Sequence, residues 1–162
     1  MYDPIEVAMK MLAAARSKGI SLSNLQLQKL VYIAHGYLLG WRQRPLISKP
    51  VEAWSYGPVI ESIYHQFKPW RDQKIPVPPP SLTSSAIDSD ADALGVIDGV
   101  LNLYGNLGAM ELVNLTHQNG TPWAQVWNHH GGNRFYSVEI PDSLIQEHFT
   151  KVISNPQGFN GL

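Results

Sequence analysis

The sequence predicts a mainly α fold, with about six helices around a central helix and a short β hairpin or extended arm. Apolar residues recur at helical spacing over most of the chain. One stretch, LQLQKLVYIAHGYLLG at 25–40, is apolar on several faces, as a helix packed from several sides must be. Alternation of the strand type is confined to 51–56 and to NRFYSVEI at 133–140.

The first helix opens on Asp3-Pro4 with Glu6 behind it: an N-cap, a proline suited to the first turn, and an acid favoured by the helix dipole. Ile5, Ala8, Met9 and Leu12 mark its apolar stripe, and Gly19 supplies a stop. The second helix follows Ser23. Its stripe is Leu27, Leu30, Val31, Ala34, Leu38 and Trp41, with Tyr32, Ile33 and Tyr37 on other faces.

Residues 42–57 break the helical pattern and read as a hairpin or extended arm, with Pro58 opening the next helix. Val59, Ile63 and Phe67 line that helix, which ends before Pro69. Residues 69–87 hold five prolines and no period, which suits a surface loop of polyproline II character. The run DSDAD at 88–92 resembles the start of a calcium loop. Ala93 stands at its sixth position and Gly99 at its twelfth, so that reading fails, and helix-starting aspartates replace it.

Leu94, Ile97, Leu101 and Tyr104 define a further helix, in which Gly95 and Gly99 would let a neighbouring helix approach closely. A short helix runs from about Ala109 to Gln118, and Thr121-Pro122 starts another that carries Trp123, Val126 and Trp127 on one face. Tyr136, Val138 and Ile140 share one side of the second alternating stretch. A last helix from Pro141 carries Leu144, Ile145, His148, Phe149 and Val152.

Length and composition suit one domain spanning 1–162: 44% of the residues are hydrophobic and 15% charged. No cysteine is present, which excludes disulfides and thiolate chemistry. No apolar run reaches bilayer length and the first residues lack a secretory pattern, so a cytoplasmic protein without membrane partners is expected. The net charge of −1 divides unevenly, with +5 over residues 1–74 and −6 over 75–162. The basic half would suit an acidic partner surface and the acidic half a basic one. The basic residues are too scattered to indicate nucleic acid.

Catalytic motifs do not emerge. The chain has no G-x-S-x-G, S-x-x-K, phosphate loop or H-E-x-x-H pattern. His129-His130 lacks a carboxylate at ligand spacing, and Glu52 with Glu61 has no fixed separation. No catalytic residue, metal or cofactor is therefore assigned. His117, just before an Asn-Gly turn, keeps two roles open: an imidazole bonded to a backbone group across the turn, which is favoured, or a catalytic base in a small hydrolase or transferase.

Three stretches in order, LQLQKLVYIAHGYLLG (25–40), VEAWSYGPVIESIYHQFK (51–68) and MELVNLTHQNGTPWAQVW (110–127), resemble the Panacea domain of SocA-like, phage-associated GepA-like proteins. Gln28, Lys29, Leu30, Glu52, Ala53, Trp54, Tyr56, Gly57, Pro58, Val59, Thr116, His117, Pro122 and Trp123 stand at the matching positions. Gly108 departs from the usual Ser or Thr cap, a tolerated change. The resemblance implies a bacterial antitoxin that binds a toxin encoded next door, without enzymatic activity. One member of the family delivers its toxin to a ClpXP-type protease. An operator-binding autoregulator is a further alternative, although no helix has a basic, base-reading face.

Within this resemblance Gln28, Lys29, Glu52, Trp54, Tyr56, Gly57, Pro58, His117, Pro122 and Trp123 are the motif residues and candidates for contact with the toxin. Trp54 and Tyr56 alternate on one side of the arm, with Ala53 and Ser55 opposite, so both are expected to pin the arm to the central helix. Arg42, Arg44 and Lys49 would then select the partner.

Overall fold

A computed structural model describes residues 1–77, 85–158 and 160–162 of the chain. Among them are seven α-helices: α1 (Pro4–Ser17), α2 (Asn24–Arg42), α3 (Glu61–Phe67), α4 (Ala91–Tyr104), α5 (Ala109–His117), α6 (Pro122–His129) and α7 (Asp142–Ser154). Three short strands, β1 (Val51–Trp54), β2 (Gly57–Val59) and β3 (Val138–Ile140), form an antiparallel sheet in the order β2-β1-β3. The part of the expected polyproline II loop at 78–84 lies outside the described residues.

The central helix is α2. Fourteen of its 19 residues are buried, and α1, α3, α4, α5, α7 and β2 all pack against it. Ser23 and Gln26 form a capping box at its start, while Gln26 also reaches the Leu107 carbonyl at 2.9 Å. Its longest contact is with α7. Gly36 makes that contact close, because a methyl group added there would lie 2.3 Å from the Phe149 ring. Phe149 in turn meets Tyr32 and Tyr37 edge-on, at 5.9 and 5.2 Å between centroids.

Polar ties fix the surrounding pieces. His35 Nδ1 accepts the Leu46 N–H at 3.2 Å, so its Nε2 carries the proton and donates to Asp142 at 2.9 Å. That one imidazole joins α2, the chain after it and the first turn of α7. Asp90 plays a similar part at α4. It caps the helix through the Ala93 N–H and accepts from Tyr2 Oη and Arg44, whose guanidinium holds the Asp90 carboxyl well below the usual carboxylate range.

Several expectations need correction. The buried stripe of α1 is Val7, Ala8, Met11, Leu12 and Ala15, turned from the predicted one, so Ile5 and Met9 lie at its margin. Trp41 is exposed at the end of α2, with Arg42 over its ring at 3.7 Å, and Leu94 is exposed on α4. Pro58 does not open a helix. It pairs with Ala53 inside β2, and α3 begins at Glu61. Tyr136 lies outside β3 and is exposed, because the turns of 131–137 carry it away from the strand. Gly95 and Gly99 admit no close neighbour; a methyl group at either would meet open space.

The glycines of α2 and α4 are therefore expected to respond in opposite directions to alanine. Gly36→Ala forces the Phe149 ring aside and should cost about 1–3 kcal/mol of unfolding free energy. Gly95→Ala gains helix propensity without a clash and should add up to about 1 kcal/mol. Chemical denaturation of both variants checks this, and a destabilised Gly95→Ala would restore the close-approach reading.

Candidate functional site

The three sequence motifs meet at one junction, where α2 grips the segment after the hairpin turn. Gln28 binds Ile60 at both backbone groups: its Oε1 accepts the Ile60 N–H at 2.9 Å and its Nε2 donates to the Ile60 carbonyl at 3.3 Å. Ile60 begins α3 with no side-chain cap of its own, so the Gln28 amide takes that place. Asn24, one turn earlier, donates to the Tyr64 carbonyl at 3.2 Å. Its role was missed in the sequence, although an amide four residues before Gln28 lies on the same helix face.

Lys29 is fully buried, and its Nζ donates to the Pro58 carbonyl at 3.1 Å. Burial lowers its pKa to about 7, because a charged ammonium in an apolar interior lacks solvation. Gly57 completes the fit. Its φ of +106° belongs to the left-handed region, and a methyl group there would lie 2.9 Å from Lys29 Cε and 3.1 Å from Thr116 Oγ1. Both the turn and the approach of the lysine require glycine at this position.

The third motif holds the hairpin from the other side. Thr121 caps α6 through the Ala124 N–H, Pro122 occupies its first turn, and Trp123 donates from Nε1 to the Trp54 carbonyl at 2.7 Å. His117, Trp123 and Trp127 form a stack, with centroid separations of 3.8 and 5.4 Å. The expected bond from His117 across the turn is not formed at Nε2, which is buried without a hydrogen-bond partner. Burial first, and then the charge of Lys29, lower its pKa below that of a free imidazole. Stacking on Trp123 replaces the missing bond as its main contact.

Trp54 and Tyr56 do not act as a pair. The chain turns at Ser55-Tyr56, so strand alternation stops there: Trp54 is half-buried while Tyr56 is 60% exposed. Glu52, on the same face of β1, accepts the Trp54 indole N–H at 2.8 Å, and the Trp54 ring meets Tyr64 edge-on at 4.9 Å. Neither aromatic reaches into the core formed by α2. Arg42 and Arg44, the expected partner-selecting residues, are bound to Asp92 of α4 and to its cap Asp90, and only Lys49 of that trio lacks an ion pair among the described residues.

Two clefts flank Trp54 and share it, with Ser55, as a common wall. One, of about 300 Å³, runs from Asn24 and Gln28 past Tyr56 to Arg71. The other, of about 380 Å³, is bounded by Trp127 and by Arg134, Phe135 and Tyr136. The residues after α6 were not legible as part of a site, because their aromatic side chains fit a strand pattern. His129 and His130 are exposed at the end of α6, and no group of three His, Cys, Asp or Glu residues among the described ones is placed to hold a metal. No helix among the described residues is long and apolar enough to cross a membrane.

Comparison with known proteins places this junction in context. Residues 27–124 match the family described as antitoxin SocA-like, Panacea domain. Antitoxin SocA of Caulobacter vibrioides (strain NA1000 / CB15N) is 34% identical over 154 residues, covering 91% of this chain and 82% of that protein. No solved structure matches.

Lys29 gives the junction a pH signature. The unfolded chain keeps this proton to about pH 10.4, the folded chain only to about 7. Folding therefore releases a proton between these values, and stability rises with pH across that window. The melting temperature of the wild type should increase from pH 7 to 9, and that of Lys29→Met should stay nearly flat. An equal rise in the variant would show that the lysine is not the source.

Proposed function

Because the chain belongs to the SocA-like Panacea antitoxin family, we propose that it neutralises a toxin encoded by an adjacent gene through direct, stoichiometric binding. The observation that carries this reading is the extent of the family match, which runs over residues 27–124 and so contains Gln28, Lys29, Gly57, Pro58, His117 and Trp123 of the junction. Apart from the exposed Tyr56, its motif residues are held within the junction, as a scaffold for a displayed surface requires. Delivery of the bound toxin to a ClpXP-type protease is compatible with the same surface, since an adaptor must first bind its cargo.

A catalytic reading has less support. His117 lies against Trp123, and its Nε2 has no hydrogen-bond partner among the described residues, so no base-orienting group is in place. A general base needs both a partner that orients it and access to a substrate proton.

Expression of the adjacent reading frame should arrest growth, and co-expression of this chain should relieve the arrest and yield a stable complex on purification. Restored growth at constant toxin level indicates occlusion, whereas toxin loss that requires the protease indicates delivery. Arrest that this chain does not relieve, with no complex recovered, contradicts the proposal.

A further inference from the structure

We propose that the toxin docks on the aromatic face built from Trp54, Tyr56, Phe135 and Tyr136, with Arg71 and Arg134 at its rim, and that it presents an acidic segment carrying apolar side chains. The inference rests on the antitoxin reading and names the surface that serves it. Tyr56 is 60%, Phe135 69% and Tyr136 83% exposed, and the Tyr136 ring lies 6.2 Å from that of Trp54. A single exposed aromatic needs no explanation, but these four come from two turns, at 54–57 and 131–137, brought together over the paired strands β1 and β3. Large aromatics and arginines supply most of the energy at protein interfaces.

The face is held in place before any partner arrives. Trp123 fixes the Trp54 carbonyl, Glu52 fixes its indole N–H, and Tyr64 supports its ring. Pre-ordered anchors lose little conformational freedom on binding, so more of the contact energy becomes affinity. Three non-glycine residues have positive φ among those described. Gln43 ends α2, while Arg71 and Ser137 both border this face. Such backbone costs energy and persists where the surroundings hold it.

Charge selects the partner's chemistry. Lys10, Lys18, Arg42, Arg44 and Lys151 each pair with a carboxylate of the chain. Among the described residues Arg71 and Arg134 make no ion pair, so an incoming carboxylate would displace no internal partner. A nucleic acid fits less well, because the two arginines of this face offer far fewer phosphate contacts than binding to a nucleic-acid backbone draws on. An apolar groove of about 220 Å³ between α2, α4 and α7, lined by Trp41, Leu103 and Ile153, is the other candidate surface. Arg42, which lies over the Trp41 ring at its edge, is already paired with Asp92, and no charged side chain lines the groove.

The test measures the affinity of the purified chain for the product of the adjacent reading frame. Tyr56→Ala and Tyr136→Ala should each weaken binding by about tenfold or more. Arg71→Glu with Arg134→Glu should slow association and remove much of its salt dependence. Leu103→Ser and Ile153→Ser, at the groove, should change affinity by less than about twofold. All the altered side chains are on the surface, and unchanged melting temperatures confirm that each variant is folded. Wild-type affinity in both tyrosine variants overturns the docking face, as does loss of binding in the groove variants. Competition by a single-stranded oligonucleotide for the same face overturns the protein-partner assignment. A wild-type chain that does not bind the product at all removes the antitoxin reading itself, and the docking face with it.

Discussion

A buried amide and a buried amine on one helix grip the backbone of residues 58–60, and the rest of the junction depends on that grip. Gln28 satisfies the Ile60 N–H and adds a second bond to the Ile60 carbonyl, which also accepts the Tyr64 N–H, and Lys29 donates to the carbonyl of Pro58. Each such bond contributes only about 1 kcal/mol net, but a buried backbone group left unpaired costs about 1–3 kcal/mol. The pattern therefore acts more through the alternatives it excludes than through the bonds it makes. A slip of β2 by one residue would leave a carboxamide and an amine without partners in the interior. With β2 fixed, β1 is set by pairing, Trp54 by β1, and the Trp123 indole by the Trp54 carbonyl. The lysine is the costly member, because an interior site disfavours its charged form, and one carbonyl returns little of that cost.

The uneven charge of the sequence is largely consumed inside the fold. The basic residues of the first half and the acidic residues of the second meet where α4 packs beside α1 and α2. Lys10 pairs with Asp88, Lys18 with Asp98, Arg42 with Asp92, and Arg44 with Asp90. Most of these pairs are partly exposed and individually worth little. Their larger effect is to cancel the dipole that the linear charge count implied. Neither half of the chain therefore presents a strongly charged surface as a whole. Of the arginines without an ion pair among the described residues, Arg71 and Arg134, beside Trp54, are the two that bear on a partner.

Local patterns in the sequence indicated most of the elements, because caps, stops and apolar stripes are short-range signals. Asp3-Pro4, Ser23 and Thr121-Pro122 all mark helix starts where they were read. The central place of α2 was legible too, from apolar residues on several of its faces. Features that depend on distant parts of the chain were not. Pro58 resembles a helix opener until β1 is seen to pair with it, and Tyr56 alternates with Trp54 only until the hairpin turns between them. Gly95 and Gly99 have the spacing of a close helix contact, but no helix among the described residues lies against them. Among the site residues, Gln28, Lys29, Gly57, Pro58 and Trp123 do converge. Their partners lie far along the chain, Gln28 on Ile60, Lys29 on Pro58 and Trp123 on Trp54, and nothing local could have disclosed that. Arg71, Arg134 and Phe135 carried no recognisable motif, since surface residues on turns obey no periodicity.

Hydrogen exchange, followed residue by residue in the free chain and in its complex with the adjacent gene's product, tests the division between clamp and docking face most directly. The amide of Ile60, bonded to Gln28, should be as protected in the free chain as the interior amides of α2, and the complex should leave it unchanged. Residues 54–57 and 131–137 should gain protection on binding. Rapid exchange at Ile60 in the free chain, or new protection confined to the face of α2 and α4, would contradict the account.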